Sequence, residues 1–119
     1  MAVRYSVGDA DDRPWGRWEV LATGETYCCK RITVKPGGKL SLQLHHHREE
    51  HWTIVEGNGL VTCGDQQREV HPNSHMFIPL KAQHRVENVG SVDLVIIEVQ
   101  HGDDLDENDI VRLDDVYGR

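Results

Sequence analysis

Residues 41–51, SLQLHHHREEH, hold four histidines and two glutamates within eleven positions, the densest group of potential metal ligands in the chain. If residues 40–47 form a β-strand, side chains alternate between its faces, so Gln43, His45 and His47 share one face. Leu40, Leu42 and Leu44 share the opposite face with His46. We expect that leucine face to pack against apolar residues, and the polar face to line a site.

A carboxylate from the next residues, Glu49 or Glu50, would complete a mixed nitrogen and oxygen ligand set. Such a set suits zinc, manganese, iron, nickel or cobalt, and the absence of thiolates argues against a structural zinc site. A small barrel also needs a histidine from a separate strand. Residues 78–88, IPLKAQHRVEN, supply His84 in alternation with Val86 and Asn88. The sequence therefore predicts a metal site built from two distant stretches.

The elements that must position these ligands are short strands separated by glycine, proline and asparagine. We predict strands over residues 27–34, 40–45, 52–55, 60–63, 76–78, 84–87 and 94–99, and a turn or a last strand over 107–113. Gly64-Asp65 is a hairpin signal, and helical periodicity is absent at useful length. Regular short strands with this punctuation predict an all-β fold, an antiparallel sandwich or barrel.

Composition limits the class of protein. The 119 residues fit one domain and carry a formal net charge of −7 with no basic stripe, which argues against a nucleic-acid partner. Three cysteines give no disulfide framework, and no apolar run reaches the length of a membrane span or a signal-peptide core. We expect a cytoplasmic protein without membrane association. An acidic, partly disordered segment is predicted over residues 1–12 and the folded domain over 13–119.

Two motifs resemble those of the cupin superfamily. Glu50 is followed by six residues and Gly57, as in the closing half of the first cupin motif. Pro79, His84 and Asn88 match the second motif, with Lys81 where glycine is usual. More closely, residues 13–21, 29–52, 57–65, 77–90 and 96–119 are similar to the C-terminal domain of type II phosphomannose isomerases. The resemblance implies a single-domain cupin, a double-stranded β-helix or jelly-roll barrel.

The resemblance also implies one divalent metal ion, with zinc preferred over manganese, cobalt, nickel or iron, and a homodimer. The implied ligands are Gln43, His45, Glu50 and His84. The alternative first-strand pair is His45 with His47. We prefer Gln43 with His45, because His47 lies only three residues before Glu50, where the strand is expected to end.

The implied activity is interconversion of mannose 6-phosphate and fructose 6-phosphate, which requires a metal, a proton-transfer group and a phosphate-binding cation. Candidates for proton transfer are His47, His51 and Glu49. Candidates for substrate binding are Arg48, Lys81 and Arg31, within a wider set of cations that includes Lys30, Arg85 and Arg13. The related enzymes commonly carry a nucleotidyltransferase domain, which 119 residues cannot also hold, so we expect no pyrophosphorylase activity. Two other functions stay open: a non-catalytic cupin that binds a sugar or nucleotide sugar, and another metal-cupin enzyme such as an iron dioxygenase.

Overall fold

The computed structural model describes residues 4–106 and 108–118, and every regular element within them is a β-strand. The strands are β1 Ala10–Arg13, β2 Gly16–Thr23, β3 Tyr27–Val34, β4 Leu42–Leu44, β5 Glu49–Glu56, β6 Gly59–Cys63, β7 Gln66–Val70, β8 His75–Ile78, β9 His84–Asn88, β10 Leu94–His101 and β11 Val111–Asp114. The all-β prediction is confirmed. No helix that could span a membrane occurs in this described part of the chain.

The strands form two antiparallel sheets. One sheet has the order β1-β2-β3-β10-β5-β8 and the other the order β11-β4-β9-β6-β7. Strand β10, which the sequence marks as the most hydrophobic, lies between β3 and β5 at the centre of the larger sheet. Its inward residues Leu94 and Ile96 are fully buried and join Val34, Ile54 and Val86 in the main hydrophobic core. Burying these side chains supplies the dominant favourable contribution to folding.

Most predicted strands occur where the sequence places them. Strand β3 matches residues 27–34 at both ends, and Gly64-Asp65 is the two-residue connection between the paired ends of β6 and β7. Strand β4 is shorter than the predicted 40–45, because residues 40, 41 and 45 lie outside the strand, and bends follow at residues 46–47. The predicted last element corresponds to β11, and Glu107 lies outside the described residues. Strands β1, β2 and β7 were not predicted; the ADDR sequence of β1 has low β-propensity, and its strand depends on pairing with β2.

The leucine face of β4 is not its buried face. Leu42 and Leu44 are half-buried, whereas the polar residues of the other face, Ser41, Gln43 and His45, are buried. The expected apolar packing is found for Leu40, which lies in the main hydrophobic core, but Leu42 and Leu44 do not belong to that core. Alternation separated the two faces correctly, but at this end of the smaller sheet the interior is a polar cavity rather than an apolar core.

A second core cluster brings the two ends of the chain together. Tyr5 and Leu105 are buried against Val20 and Cys28, with Trp18 packed beside them. Tyr5 and the first three residues of β1 belong to the stretch, residues 1–12, that the sequence set apart from the domain. The boundary between that segment and the domain stays a prediction.

At Gly57, where the first motif ends, the backbone that follows β5 lies close to the backbone that precedes β10. Its φ is +81°, and a Cβ atom there would lie 2.4 Å from the backbone oxygen of Asp93. Gly37 has a similar φ of +79° but open space around it. We expect Gly37→Ala to cost about 1–2 kcal/mol of unfolding free energy, the price of the left-handed conformation alone. Gly57→Ala should cost at least about 2 kcal/mol more, because backbone atoms must shift.

Urea unfolding of both variants measures this difference. Equal losses of stability in the two variants would show that the contact between Gly57 and Asp93 does not limit the backbone.

Candidate metal centre

Three buried side chains from three strand regions converge in the cavity between the sheets. His45 follows β4, Glu50 is the second residue of β5 and His84 begins β9. One ligand atom from each lies within 4.8 Å of the others. Their exposed fractions are 3%, 1% and 2%, so water competes little for these atoms. The structure thus brings together the two distant stretches from which the sequence predicted a site.

Hydrogen bonds to carbonyl groups fix the tautomer of both histidines. His45 Nδ1 lies 2.6 Å from the Asp109 carbonyl oxygen, and His84 Nδ1 lies 2.9 Å from that of Ala82. A carbonyl oxygen only accepts, so Nδ1 carries a proton in both rings, which leaves Nε2 as the nitrogen available to a metal ion. The two Nε2 atoms lie 3.2 and 3.7 Å from the carboxylate oxygens of Glu50. This is the orientation in which histidines bind a metal with a carbonyl partner behind each ring.

The carboxylate of Glu50 is ionised although it is buried. Burial would raise the pKa of Glu50, but the nearby Arg48 guanidinium, a hydrogen bond from Glu98 and the two imidazoles hold that pKa well below its usual range. Arg48 Nε donates to Oε2 at 2.8 Å, and Trp52 Nε1 donates to Oε1 at 3.0 Å. Burial, the largest cause, lowers the pKa of His45 to about 4. At neutral pH His45 is a neutral donor beside an anionic one, a set suited to a divalent ion.

Gln43 lines the same cavity and His47 does not. Gln43 is the cross-strand partner of His84, so the two side chains leave adjacent strands on the same face. The side-chain amide nitrogen of Gln43 donates toward Ser41 at 3.4 Å, which leaves the amide oxygen as a fourth possible donor. His47 is exposed, and its backbone N–H donates to the Asp109 carboxylate. This placement favours Gln43 over His47 as the fourth ligand. The role of Gln43 as a ligand stays a prediction.

Beside these donors the cavity holds a buried lysine and a second buried carboxyl. Lys30 and Glu98 are cross-strand partners on β3 and β10. Lys30 Nζ lies 3.8 Å from the ring centroid of Tyr5 and 4.3 Å from that of Trp18. Burial lowers the pKa of Lys30 to about 8. Burial, followed by the negative charge of Glu50, raises the pKa of Glu98 to about 8. Two groups that titrate near neutral pH therefore lie next to the metal ligands.

Several residues that the sequence proposed for catalysis or substrate binding lie outside the cavity lining. Glu49 and His51 alternate with the buried Glu50 and Trp52 along β5, so they lie on the outer face of the sheet. His51 contacts the Phe77 ring there. These placements, with that of the exposed His47, give no geometric support to proton transfer by any of the three.

Of the three predicted substrate-binding residues, one lines the cavity and two do not. Arg48 lines the cavity, but its guanidinium is buried against Glu50. Arg31 is exposed and paired with Glu19, and Lys81 is exposed in a turn with a φ of +63°. Neither Arg31 nor Lys81 lines the cavity.

Sequence reasoning missed two cavity residues and undervalued two others. Glu98 and Arg112 were not proposed, while Lys30 and Arg13 appeared only in the wider set of cations; all four line the cavity. A signal for Glu98 was present, because it is in phase with the buried Leu94 and Ile96 of the same strand. A charged residue on the apolar face of the most hydrophobic strand indicates a buried function.

An antiparallel two-sheet barrel that holds two histidines and a glutamate on its inner face is a cupin. Oxalate decarboxylase from Lactobacillus farciminis, in a formate complex, has the same fold, with a TM-score of 0.77 over 88% of this chain and 33% of that one. At 19% identity this likeness shows the fold alone. The chain belongs to the family described as mannose-6-phosphate isomerase C-terminal, whose profile matches residues 5–115.

Relatives in sequence share much more identity with the chain. It is 50% identical over 107 residues to the alginate biosynthesis protein AlgA of Pseudomonas aeruginosa, a match that covers 90% of this chain and 22% of AlgA. It is 49% identical over 107 residues to the mannose-1-phosphate guanylyltransferase ManC of Salmonella typhimurium, covering 90% of this chain and 22% of ManC. The chain thus spans about a fifth of the length of these curated relatives.

Removal of both histidines tests the metal centre. We expect the wild-type protein to bind about one divalent ion per chain and the His45→Ala/His84→Ala variant to bind none, because only the Glu50 carboxylate remains of the three converging donors. The matched control is His46→Ala/His47→Ala, which removes two exposed neighbours and should keep the ion. Elemental analysis after dialysis gives the stoichiometry, with circular dichroism to confirm folding. Full metal in the first variant, or its loss in the control, would refute the assignment.

Proposed function

We propose that this domain is a metal-dependent sugar-phosphate isomerase that interconverts mannose 6-phosphate and fructose 6-phosphate. The observation that carries the proposal is a positively charged cavity around a metal-type donor set in an otherwise acidic chain. Membership of the mannose-6-phosphate isomerase C-terminal family supports the same reading. We take zinc as the preferred ion, because two imidazoles with a carboxylate, and an amide as the possible fourth donor, suit it and no thiolate is involved.

The charge of the cavity is opposite to that of the chain. The net charge is −7, yet among the described residues four cations face two carboxyl groups in the cavity lining. These are Arg13, Lys30, Arg48 and Arg112 against Glu50 and Glu98. With Glu98 protonated in part, the lining is positive before any metal ion is added. A cleft of one sign concentrates ligands of the opposite sign, and a phosphate ester is such a ligand.

Arg112 is placed to bind the phosphate end of the substrate. It pairs with Gln43 across β11 and β4, and Gln43 pairs with His84 across β4 and β9. Neighbouring strands lie about 4.8 Å apart, so the backbone of Arg112 is about 10 Å from that of His84. That span suits a hexose 6-phosphate with its reacting carbons near the metal ligands and its phosphate at Arg112. Arg13 is half-exposed in the same lining and provides a second cation for the phosphate.

Aldose–ketose isomerisation moves one proton between two carbons. When bound, the divalent ion would polarise the oxygens on C1 and C2 as a Lewis acid. In its carboxylate form Glu98 takes the proton from C2 of the open-chain aldose; the C2–H electrons form the C1–C2 double bond, and the π electrons of the C1 carbonyl move onto O1. Glu98 then returns that proton to C1, where the double-bond electrons bind it, while the O2 proton passes to O1 and the O2–H electrons form the C2 carbonyl of the ketose. The Lys30 ammonium stabilises the negative charge on the oxygens during this transfer.

The pKa of about 8 for Glu98 suits a group that must both accept and donate near neutral pH. An iron dioxygenase would be expected to have an apolar pocket without cations, which the lining does not provide. A non-catalytic sugar-binding cupin is the alternative function, and an activity assay distinguishes it from an isomerase. The homodimer implied by the resemblance stays a prediction.

A coupled assay with mannose 6-phosphate tests the proposed reaction. The purified protein is loaded in turn with zinc, manganese, cobalt and nickel, and fructose 6-phosphate is detected through coupling enzymes. We expect turnover with at least one ion and none from the His45→Ala/His84→Ala variant. Absence of turnover with every ion, together with retained mannose 6-phosphate binding, would replace the isomerase with the binding-only function.

Arg112→Met tests the phosphate contact separately from the metal. Loss of a charged hydrogen bond costs about 1.5–3 kcal/mol, so we expect KM for mannose 6-phosphate to rise roughly 10–100-fold with metal content unchanged. Arg112→Lys should recover part of the loss, because it keeps the charge but not the planar fork. The control Arg68→Met changes an exposed arginine on β7, outside the cavity lining. A KM for Arg112→Met within about twofold of wild type would exclude this role.

A further inference from the structure

Asp109 holds three consecutive residues of the turn that presents the metal ligand His45. Its carbonyl oxygen accepts from His45 Nδ1 at 2.6 Å. Its carboxylate oxygens accept from the backbone N–H groups of His46 and His47, each at 2.9 Å. One residue thus fixes both the ring of the ligand and the backbone that follows it.

Neighbouring contacts hold the same turn from other directions. In the segment before β11, the Asp106 carbonyl oxygen accepts a hydrogen bond from Arg48 Nη1 at 3.4 Å. Against the turn lies Gly102, where a Cβ atom would come within 2.2 Å of the His47 carbonyl oxygen. Residues 45–48 are therefore packed against the backbone of Gly102 and hydrogen-bonded to Asp109. Such confinement limits the positions that the His45 ring can take.

We propose that Asp109 is a positioning residue that couples metal binding at His45, Glu50 and His84 to docking of the C-terminal segment, residues 108–114. The inference rests on the metal-binding half of the proposed function and does not depend on the isomerase reaction. Asp109 touches neither metal nor substrate, and it acts through the ring and the backbone of the turn.

The physical reason is the direction of the His45 lone pair. A carbonyl partner at Nδ1 keeps the proton there and aims Nε2 at Glu50, from which it is 3.2 Å away. Loss of such a partner behind a metal ligand costs about 10–100-fold in metal affinity. Coupling between two equilibria is reciprocal, so a bound ion must stabilise the docked segment by the same factor.

The carbonyl oxygen that accepts from His45 Nδ1 belongs to the backbone and remains in every variant, so substitution tests whether the carboxylate bonds to His46 and His47 keep that carbonyl behind the ring. Asp109→Ala removes both bonds to the backbone N–H groups, and Asp109→Asn keeps one acceptor. The matched control is Asp114→Ala in the same segment. It removes the 3.0 Å ion pair with Arg85 on β9 rather than a bond to the turn. Zinc is the probe, with affinity measured by competition with a chromophoric chelator.

We expect the zinc Kd to rise roughly 10-fold in Asp109→Ala, the lower end of the range because the carbonyl remains but is less firmly held, by less in Asp109→Asn, and by no more than about twofold in Asp114→Ala. Amide hydrogen exchange across residues 108–114 provides a second readout. Zinc should slow this exchange in wild type and in Asp114→Ala but have little effect in Asp109→Ala. Circular dichroism confirms that each variant is folded, and Asp109→Asn decides the matter if Asp109→Ala is not.

Each contrary result has its own meaning. Zinc affinity equal to wild type in both Asp109 variants would overturn the positioning role and leave the metal site intact. An equal loss in Asp114→Ala would also overturn it, since the effect would then belong to the segment in general. Absence of zinc binding in wild type would reject the metal site, and the coupling with it. Loss of isomerase activity alone, with these affinities as expected, would count only against the proposed function.

Discussion

The structure depends on one buried negative charge, the carboxylate of Glu50. Removing an ion from water costs several kcal/mol after relaxation, and the protein must offset that cost with contacts of good geometry. Arg48 and Trp52 donate to its two oxygens, and the Nε2 atoms of His45 and His84 face it. A divalent ion would neutralise the charge further. Burial, and after it this same charge, raises the pKa of Glu98, so two adjacent carboxyl groups have pKa values shifted in opposite directions.

Both ends of the described chain are needed to complete this arrangement. Tyr5 packs against the Lys30 ammonium from the N-terminal side, while Asp109 fixes the ring of His45 from the C-terminal side. A cation over an aromatic face is stabilised by the ring quadrupole, which lowers the cost of keeping Lys30 inside. Leu105 buries its side chain in the same small core as Tyr5. His45, a candidate metal ligand, and Lys30 are therefore held in place by segments far away in sequence.

Strand alternation explains both what the sequence predicted and what it missed. In and just after β4 it separates the buried Gln43 and His45 from their neighbours, and the motif spacing points to Glu50 and His84, which converge with His45. The same rule, applied to β5, places His51 on the outer face, but short distance along the chain had suggested that it was near the site. The sequence of one strand does not determine which strand it pairs with, or in which register. The approach of Glu98 to Lys30 depends on the register of β10 with β3, which only the folded structure shows.

The net charge of the chain is also no guide to the site, because it does not describe the electrostatic field inside one cavity. The net charge of −7 argues against a nucleic-acid partner but says nothing of the positive cavity. At the cavity, Arg13 forms an ion pair with the half-exposed Asp11. Such a surface pair contributes about 0–1 kcal/mol, whereas a phosphate dianion offers a charged hydrogen-bond partner of higher charge. Asp11 can therefore hold the guanidinium in the absence of substrate and release it to a phosphate at little cost. An acidic exterior is in this way compatible with a site for an anionic substrate.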